Sequence, residues 1–199
     1  MSQYILSDAG ILSQIKRLQY RQQILPLLLI AASFIISALL QSHNWLKYLG
    51  YALTMIGVGL YIKNYLSFRY RNRIARPLPD TIYSPITGKV TKVKSQGEIT
   101  QLSIRKNWLD PVEIRCPDDG CYWQDDALKL GISDALIVFR FDANRMIRIP
   151  KAEMKAGEVI ALMIGGGICQ ISIPGKLKLT LHKGDDAHAG ESGIIEAIS

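Results

Sequence analysis

The sequence predicts an α+β protein in which a two-span transmembrane helical hairpin precedes an all-β sandwich-barrel domain. Two apolar runs, at 24–40 and 45–62, come first in the 199-residue chain, and their only charge is Lys47. A proline-rich stretch at 76–79 then stops any helix, because proline lacks a backbone N–H and forces an extended path. From residue 81 onward, short alternating segments between Gly, Pro and Asp turns are typical of a small barrel or sandwich.

The first 23 residues predict a short cytoplasmic helix that Ser7 or Asp8 can cap. Its apolar and basic residues fall on opposite faces. Two interpretations stay open at this point. The segment is either an amphipathic helix lying on an anionic leaflet or a helical extension of the membrane segment behind it.

Each apolar run is near the lower end of the roughly 17 to 25 residues that a membrane helix needs. Residues 41–44 between the runs allow only a tight turn. Pro26 lies near the start of the first run, where a first-turn proline loses no helical hydrogen bond. The sequence therefore predicts transmembrane helices at 24–40 and 45–62.

The basic residues flank these spans, which sets the predicted orientation. Residues 1–76 carry a net charge of +8 and residues 77–199 a net charge of −1. Under the positive-inside rule, both termini and the C-terminal domain face the cytoplasm. We therefore expect a multi-pass protein of a bacterial-type inner membrane, and three cysteines fit that reducing side. A nearly neutral domain argues against nucleic acid as a partner.

Residues 63–80 form a basic juxtamembrane linker. Its arginines fix the topology and are candidates for binding anionic phospholipid headgroups, which is worth roughly 1 kcal/mol per charge. The expected partners are the lipid bilayer and anionic phospholipid, with a membrane-protein partner left open. The candidate headgroup residues are Arg69, Arg71, Arg73 and Arg76.

The domain at 81–199 reads as a series of short strands. One short helix is predicted near Asp125–Leu130, and Gly165–Gly167 is interpreted as a flexible turn or, less simply, as a phosphate-binding nest. The predicted strands are Lys89–Val93, Ile99–Ile104, Val112–Arg115, Ala135–Phe141, Met146–Ile149, Val159–Ile164, Ile168–Ile173, Lys178–Leu181 and Gly193–Ala197.

Two Cys/His pairs are weak candidates for a metal site. Cys116 with Cys121, and His182 with His188, could supply a tetrahedral zinc site. Their spacing is looser than in common zinc modules, and the residues between the cysteines equally form a plain turn. We expect no metal here.

Motifs at both ends of the chain resemble the short, membrane-anchored form of phosphatidylserine decarboxylase. Arg76-Pro-Leu-Pro79 and Ser84-Pro-Ile-Thr-Gly-Lys-Val90 are similar to the R-x-(I/L)-P pattern and the SPADGKV segment of that family. Glu158–Gly167, Ile168–Pro174 and Lys183–Glu191 are similar to its G-x-I-x-x-I-x-F-G-S region, a strand ending in proline and a closing GD.V..GE turn. The order of turns and strands is also similar to that of lipoyl-type sandwich barrels, and this similarity supports the fold alone.

The departures from the family decide what the resemblance implies. Members cut a Gly-Ser bond and convert the serine into a pyruvoyl cofactor, which withdraws electrons during decarboxylation. Here the processing position falls at Gly166 and Gly167, and a family histidine position falls at Asn144. Glycine has no hydroxyl to attack the preceding carbonyl, so the resemblance implies no catalytic residues and no cofactor.

The resemblance therefore implies a non-catalytic, membrane-anchored subunit that binds or scaffolds next to phospholipid. Two alternatives stay open. One is an active, divergent phospholipid decarboxylase that makes its pyruvoyl group at another site. The other is a sandwich-barrel adaptor in a membrane transport or envelope assembly.

Overall fold

The computed structural model describes residues 4–6, 9–39, 44–71, 73–75, 81–132, 135–174 and 177–196. The chain forms two compact units. One is helical and comprises Asp8–Phe68, and the other comprises Met1–Ser7 with Arg69–Ser199 and is built of strands. The predicted α+β order, with two helices first and an antiparallel sheet afterwards, is confirmed.

The helical unit consists of two packed helices, α1 at Ala9–Leu39 and α2 at Asn44–Ser67. Helix α1 is continuous, so the N-terminal segment is a helical extension of the first apolar run. Among the described residues, one helix, Gly10–Ala38, is long and apolar enough for a membrane span or a signal sequence. The second span therefore stays a prediction. Of the predicted turn at 41–44, residues 41–43 lie outside the described residues, and Asn44 begins α2.

Pro26 lies inside α1 and not in a first turn, because the helix begins at Ala9. An interior proline leaves the carbonyl four residues earlier without its helical donor. That carbonyl belongs to Gln22, and the side-chain amide of Asn64 in α2 donates a hydrogen bond to it at 2.9 Å. The side chain of Asn64 in α2 thus replaces the hydrogen bond that Pro26 removes from α1.

Small and uncharged polar residues line the contact between the helices. The hydroxyls of Ser33 and Thr54 lie 2.7 Å apart. A Cβ atom at Gly57 would lie 2.7 Å from the side chain of Ile30, so only glycine permits this approach. Most exposed large apolar side chains that the structure describes lie on the outside of these helices. This combination is typical of helices that pack within a bilayer.

The second unit contains an antiparallel eight-stranded sheet that curls into a half-barrel. The strand bounds are β4 at Gly88–Gln96, β5 at Ile99–Lys106, β6 at Glu113–Arg115, β7 at Tyr122–Gln124, β8 at Ala127–Ile132, β9 at Ala135–Arg148, β10 at Val159–Pro174 and β12 at Asp186–Ala187. Their order is β12-β4-β5-β10-β9-β8-β7, and β6 pairs with β10. Closure into a sandwich barrel remains a prediction.

Two smaller ladders complete this unit. β1 at Tyr4–Leu6 pairs with β2 at Arg73–Ala75, so the chain before α1 and the chain after α2 meet in one ladder. The other ladder joins β3, β13 and β11. These three strands are Thr81–Tyr83, Gly193–Glu196 and Lys178–Leu179.

Side-chain alternation explains the core of the strand unit. Along β5, Leu102 and Ile104 are fully buried, and the next residue on that face is Lys106. Ile171 and Ile173 of the adjacent β10 are buried beside them. Burying an aliphatic side chain of this size contributes about 1.5–3 kcal/mol.

Three local predictions in the strand unit are wrong. The predicted strands Ala135–Phe141 and Met146–Ile149 are one strand, β9, which ends at Arg148. Gly165–Gly167 is neither a turn nor the end of a strand, because these glycines lie within the 16-residue strand β10. The predicted helix near Asp125–Leu130 is a hairpin: Asp125 and Asp126, with φ of 47° and 60°, form the turn between β7 and β8. A two-residue turn with both φ values positive matches the twist of paired strands.

Candidate functional site

The glycines of β10 interrupt its ladder with β9 in a β-bulge. Ile164 is paired with Arg145, and Gly167 is paired with Ala143, so β10 has one residue more than β9 between these pairs. Asn144 is the residue of β9 that faces the extra residue. The two positions that the resemblance assigns to self-processing therefore lie opposite each other.

The glycine bulge, Gly165–Gly167, requires glycine for two reasons. Gly165 has a φ of +80°, which side chains other than glycine rarely adopt. At Gly167 an added Cβ would lie 2.8 Å from the carbonyl oxygen of Asp142 and 2.7 Å from Sδ of Met163. A serine does not fit at this position unless the strands move apart.

Lys106 lies next to the bulge, with its side chain on the core face of β5. Only 2% of its surface is exposed. Its Nζ donates hydrogen bonds to the carbonyl oxygens of Gly165, at 2.6 Å, and Asn107, at 3.1 Å. Burial lowers the pKa of Lys106 to about 8, and the charges of Asp110 and Glu113 oppose the shift.

This contact has a definite chemical meaning. A cationic donor at 2.6 Å polarises the Gly165 carbonyl and would stabilise negative charge developing on its oxygen. A hydroxyl at position 166 would stand beside that carbonyl, but the residue is Gly166. The bulge therefore has an electrophile and a charge-stabilising donor without the nucleophile that self-cleavage needs.

A buried ion pair lies on β6, which pairs with the first part of β10. Glu113 and Arg115 are each 1% exposed, and their nearest charged atoms are 3.9 Å apart. The guanidinium of Arg115 donates to the carbonyls of Gly157, at 2.9 Å, and Arg71, at 2.6 Å. The N–H of Arg71 donates to Oε1 of Glu113 at 3.3 Å. The pair thus holds the backbone of Arg71 against the sheet.

Burial dominates the electrostatics of this pair. It raises the pKa of Glu113, although Arg115 acts against the rise, and it lowers the pKa of Arg115 against the pull of Glu113. Oε2 of Glu113, Nε of Arg115 and the hydroxyl of Tyr70 are buried without a hydrogen-bond partner in the part of the chain that the structure describes. Unpaired buried polar atoms cost free energy, so they lower the unfolding free energy of the strand unit.

The predicted headgroup arginines differ in their surroundings. The side chain of Arg69 is exposed. Arg71 instead forms an ion pair with Glu191 at 2.8 Å, which competes with a lipid headgroup. Arg73 begins β2, its side chain lies outside the described part of the structure, and Arg76 lies outside the described residues.

The Cys/His pairs are not gathered into one cluster. Within the described ranges, no group of three or more Cys, His, Asp or Glu side chains is placed to hold a metal. Cys116 and Cys121 are both buried, and the hydrogen bond with Cys121, followed by burial, raises the pKa of Cys116. His182 is exposed beside Asp185. Nδ1 of His188 is buried without a partner among the described residues.

A separate cleft of about 400 Å³ lies beside β7. The guanidinium of Arg148 stacks 4.6 Å from the ring centre of Trp123 at this cleft. Both cations at its rim are already paired, Arg148 with Asp126 and Lys151 with Glu158. We therefore assign it no ligand.

Sequence reasoning missed the charged residues of the site for an identifiable reason. Lys106 follows Leu102 and Ile104 at a spacing of two, so its burial could have been predicted from alternation. Glu113 and Arg115 share the polar face of a short strand, which ordinarily faces water. The backbone of Arg71 covers that face, and no local pattern reveals a contact across 44 residues.

Comparison with known proteins adds no relative: no family model matches the chain, and neither a curated protein nor a solved structure matches it.

Proposed function

We propose that the protein is a membrane-anchored, non-catalytic relative of phosphatidylserine decarboxylase that acts as a phospholipid-proximal binding or scaffold subunit. The observation that carries the proposal is the closed environment of Gly167. An added Cβ there would meet a backbone oxygen at 2.8 Å. A pyruvoyl-forming serine is therefore missing at position 167, and the strands leave no space for one there.

The meeting of two positions at one bulge supports the family relation. Gly166 and Gly167 stand where the family cuts its chain, and Asn144 stands where it carries a histidine. Asn144 precedes Gly166 by 22 positions, and the register of β9 and β10 places it opposite Gly165 and Gly166, next to the pair of Gly167 with Ala143. A chance match of short motifs would not require this neighbourhood.

The helices support the membrane anchor. Helix α1 is long and apolar enough to span, and α2 contains a run without charge, Tyr48–Ile62, packed along it. We propose that α2 is the second span. Since β1 and β2 pair, both ends of this hairpin emerge on one side. We propose that this side is cytoplasmic at the inner membrane, because the flanking residues are rich in Lys and Arg.

The first experiment tests for activity. We expect the purified full-length protein, in bilayers containing phosphatidylserine, to release no CO₂ and to resist labelling by phenylhydrazine. Label on the wild-type protein, together with CO₂ release, would establish the active-enzyme alternative.

The second experiment tests the family relation with a gain of function. Gly167→Ser is a poor rescue because the side chain has no room, whereas a Cβ at Gly166 would lie 3.3 Å from the carbonyl oxygen of Lys106. Gly166→Ser with Asn144→His supplies the nucleophile beside the carbonyl that Lys106 polarises. We expect slow self-cleavage of this double variant, abolished by Lys106→Met. If the chain stays uncut in every variant, the geometry of the bulge no longer supports the relation to the decarboxylase family.

The third experiment tests the lipid partner. In flotation assays, we expect the protein to bind added anionic vesicles more strongly than neutral ones. Arg69→Gln should reduce this difference. Arg140→Gln, at an exposed arginine of β9, is the matched control. Salt should weaken the same binding, because exposed charges are screened over roughly 8 Å at physiological ionic strength. Equal effects of the two substitutions would contradict a headgroup role for Arg69.

A further inference from the structure

The turn between β5 and β6 exposes two large apolar side chains. Trp108 is 45% exposed and Leu109 is 39% exposed. Neither is needed to make the turn, since the N–H of Asn107 donates to Oδ2 of Asp110 at 2.7 Å and the N–H of Asp110 donates back to the carbonyl of Asn107 at 3.2 Å. Polar residues and glycine usually fill such a turn, so an exposed indole and leucine require another reason.

A short stretch of chain and one hydrogen bond connect the turn to the residues that follow α2. The N–H of Val112 donates to the carbonyl of Arg69 at 2.8 Å. Arg69 follows Ser67, the last residue of α2, by two positions, a reach of at most about 7 Å. Trp108 precedes Val112 by four positions, a reach of at most about 14 Å. These limits keep the turn at the end of the strand unit where the chain arrives from α2.

The opposite end of the same strand provides a contrast. Ile99, the first residue of β5, is 50% exposed and follows the turn at Gly97. Seven residues of strand separate it from Lys106, about 23 Å. Ile99 is therefore an exposed apolar side chain that lies away from the residues following α2.

We propose that Trp108 and Leu109 insert into the boundary between the phospholipid headgroups and the acyl chains, as a membrane contact separate from the helices. This inference rests on the proposed membrane anchor. Indole rings favour that boundary because one end is apolar and the other donates a hydrogen bond. Arg69 and Arg105, both exposed, supply positive charge beside the turn for anionic headgroups.

The proposed insertion would bring the glycine bulge close to lipid. A Cβ at Gly166 would lie 3.9 Å from the backbone nitrogen of Trp108, so the turn directly adjoins the glycine bulge. Lys106, whose amine contacts the bulge, immediately precedes the turn. A phospholipid headgroup at the inserted turn would be presented to this end of the sheet.

Tryptophan quenching in full-length protein tests the proposal. The chain has three tryptophans, and conservative replacement of two of them by phenylalanine leaves Trp45, Trp108 or Trp123 alone. Each variant is reconstituted in bilayers whose acyl chains are brominated near the headgroup. We expect Trp108 to lose fluorescence and to emit at shorter wavelength than in lipid-free detergent. Ile99→Trp, with the three native tryptophans replaced, is the matched control and should show neither change.

The outcomes separate this proposal from the membrane anchor. Quenching of Trp45 with no more quenching of Trp108 than of Ile99→Trp would overturn the inserted turn and leave the anchor intact. Absence of quenching at Trp45 as well would overturn both. If a single-tryptophan variant does not fold, Trp108→Phe in the otherwise native chain provides the same test. It must remove part of the shallow quenching, and unchanged quenching would contradict the proposal.

Discussion

The helical unit and the strand unit bury polar groups in opposite ways. Between the helices the polar contacts are uncharged and paired, as between Ser33 and Thr54, while large apolar side chains face outward. In the strand unit the exterior carries the charges, yet Lys106, Glu113 and Arg115 are buried. Two atoms of that buried group, Oε2 of Glu113 and Nε of Arg115, have no partner within the described part of the chain.

The difference fits the surroundings proposed for the two units, lipid for the helices and water for the strands. Paired uncharged groups and outward apolar side chains minimise the cost of a lipid surrounding. Buried charges in a water-facing domain lower stability, and proteins keep them where function or specificity requires. In this protein Lys106 lies beside the glycine bulge, the place where the family resemblance puts its chemistry. Glu113 and Arg115 lie on β6, which pairs with the first part of β10.

The largest expected effect is at the buried ion pair. Arg115→Leu removes the partner of Glu113 and two bonds to backbone carbonyls, so we expect the strand unit to lose about 3–5 kcal/mol of unfolding free energy. Denaturant unfolding of the full-length protein in detergent, followed by Trp123 fluorescence, measures the change. Adding Glu113→Leu should recover much of the loss, because no charge then stays buried alone. A double variant as unstable as the single one would contradict the charge explanation.

The next effect tests the closed bulge. Gly167→Ser forces a side chain against Asp142 and Met163, and overpacking of this kind costs about 1–3 kcal/mol. Gly131→Ser is the matched control, since a Cβ there meets nothing within 4 Å. We expect lower thermal stability only for Gly167→Ser. Equal stability of the two variants would show that position 167 is open.

A smaller effect is expected between the helices. Asn64→Leu leaves the Gln22 carbonyl without a donor, for an expected loss of about 0.6–2 kcal/mol. Pro26→Ala restores the backbone donor, so Asn64→Leu should cost less in that background. A double-mutant cycle in mixed micelles measures this coupling. Additive effects would mean that Asn64 does not compensate for Pro26.

A separate effect is a pH dependence at Lys106. Its pKa is about 8 when folded and 10.5 in its ordinary range, so between these values the unfolded chain binds more protons. The stability of the wild type relative to Lys106→Met should therefore rise as pH increases from about 8 to 10.5. Groups common to both proteins cancel in this difference. A flat difference across that window would contradict a buried, charge-disfavouring site.

The sequence predicted the helices and the all-strand remainder because long apolar runs and alternating segments are local signals. It misjudged β10, because three glycines ordinarily mark a turn, and here the neighbouring strands β5 and β9 pair through them. It placed Pro26 in a first turn, because the continuation of α1 back to Ala9 changes the position of that proline in the helix. The buried charges depend on contacts between distant segments, which no local pattern reveals.

The intact mass of the protein purified from alkaline-washed membranes tests the account most directly. Alkaline washing leaves only proteins that are embedded in the bilayer, and the mass reports any cut in the chain. We predict one chain of 22.2 kDa that stays with the membrane and retains both helices. Two fragments, the smaller with a blocked N-terminus, or a chain that has lost α1, would contradict a non-processed protein anchored by a helical hairpin.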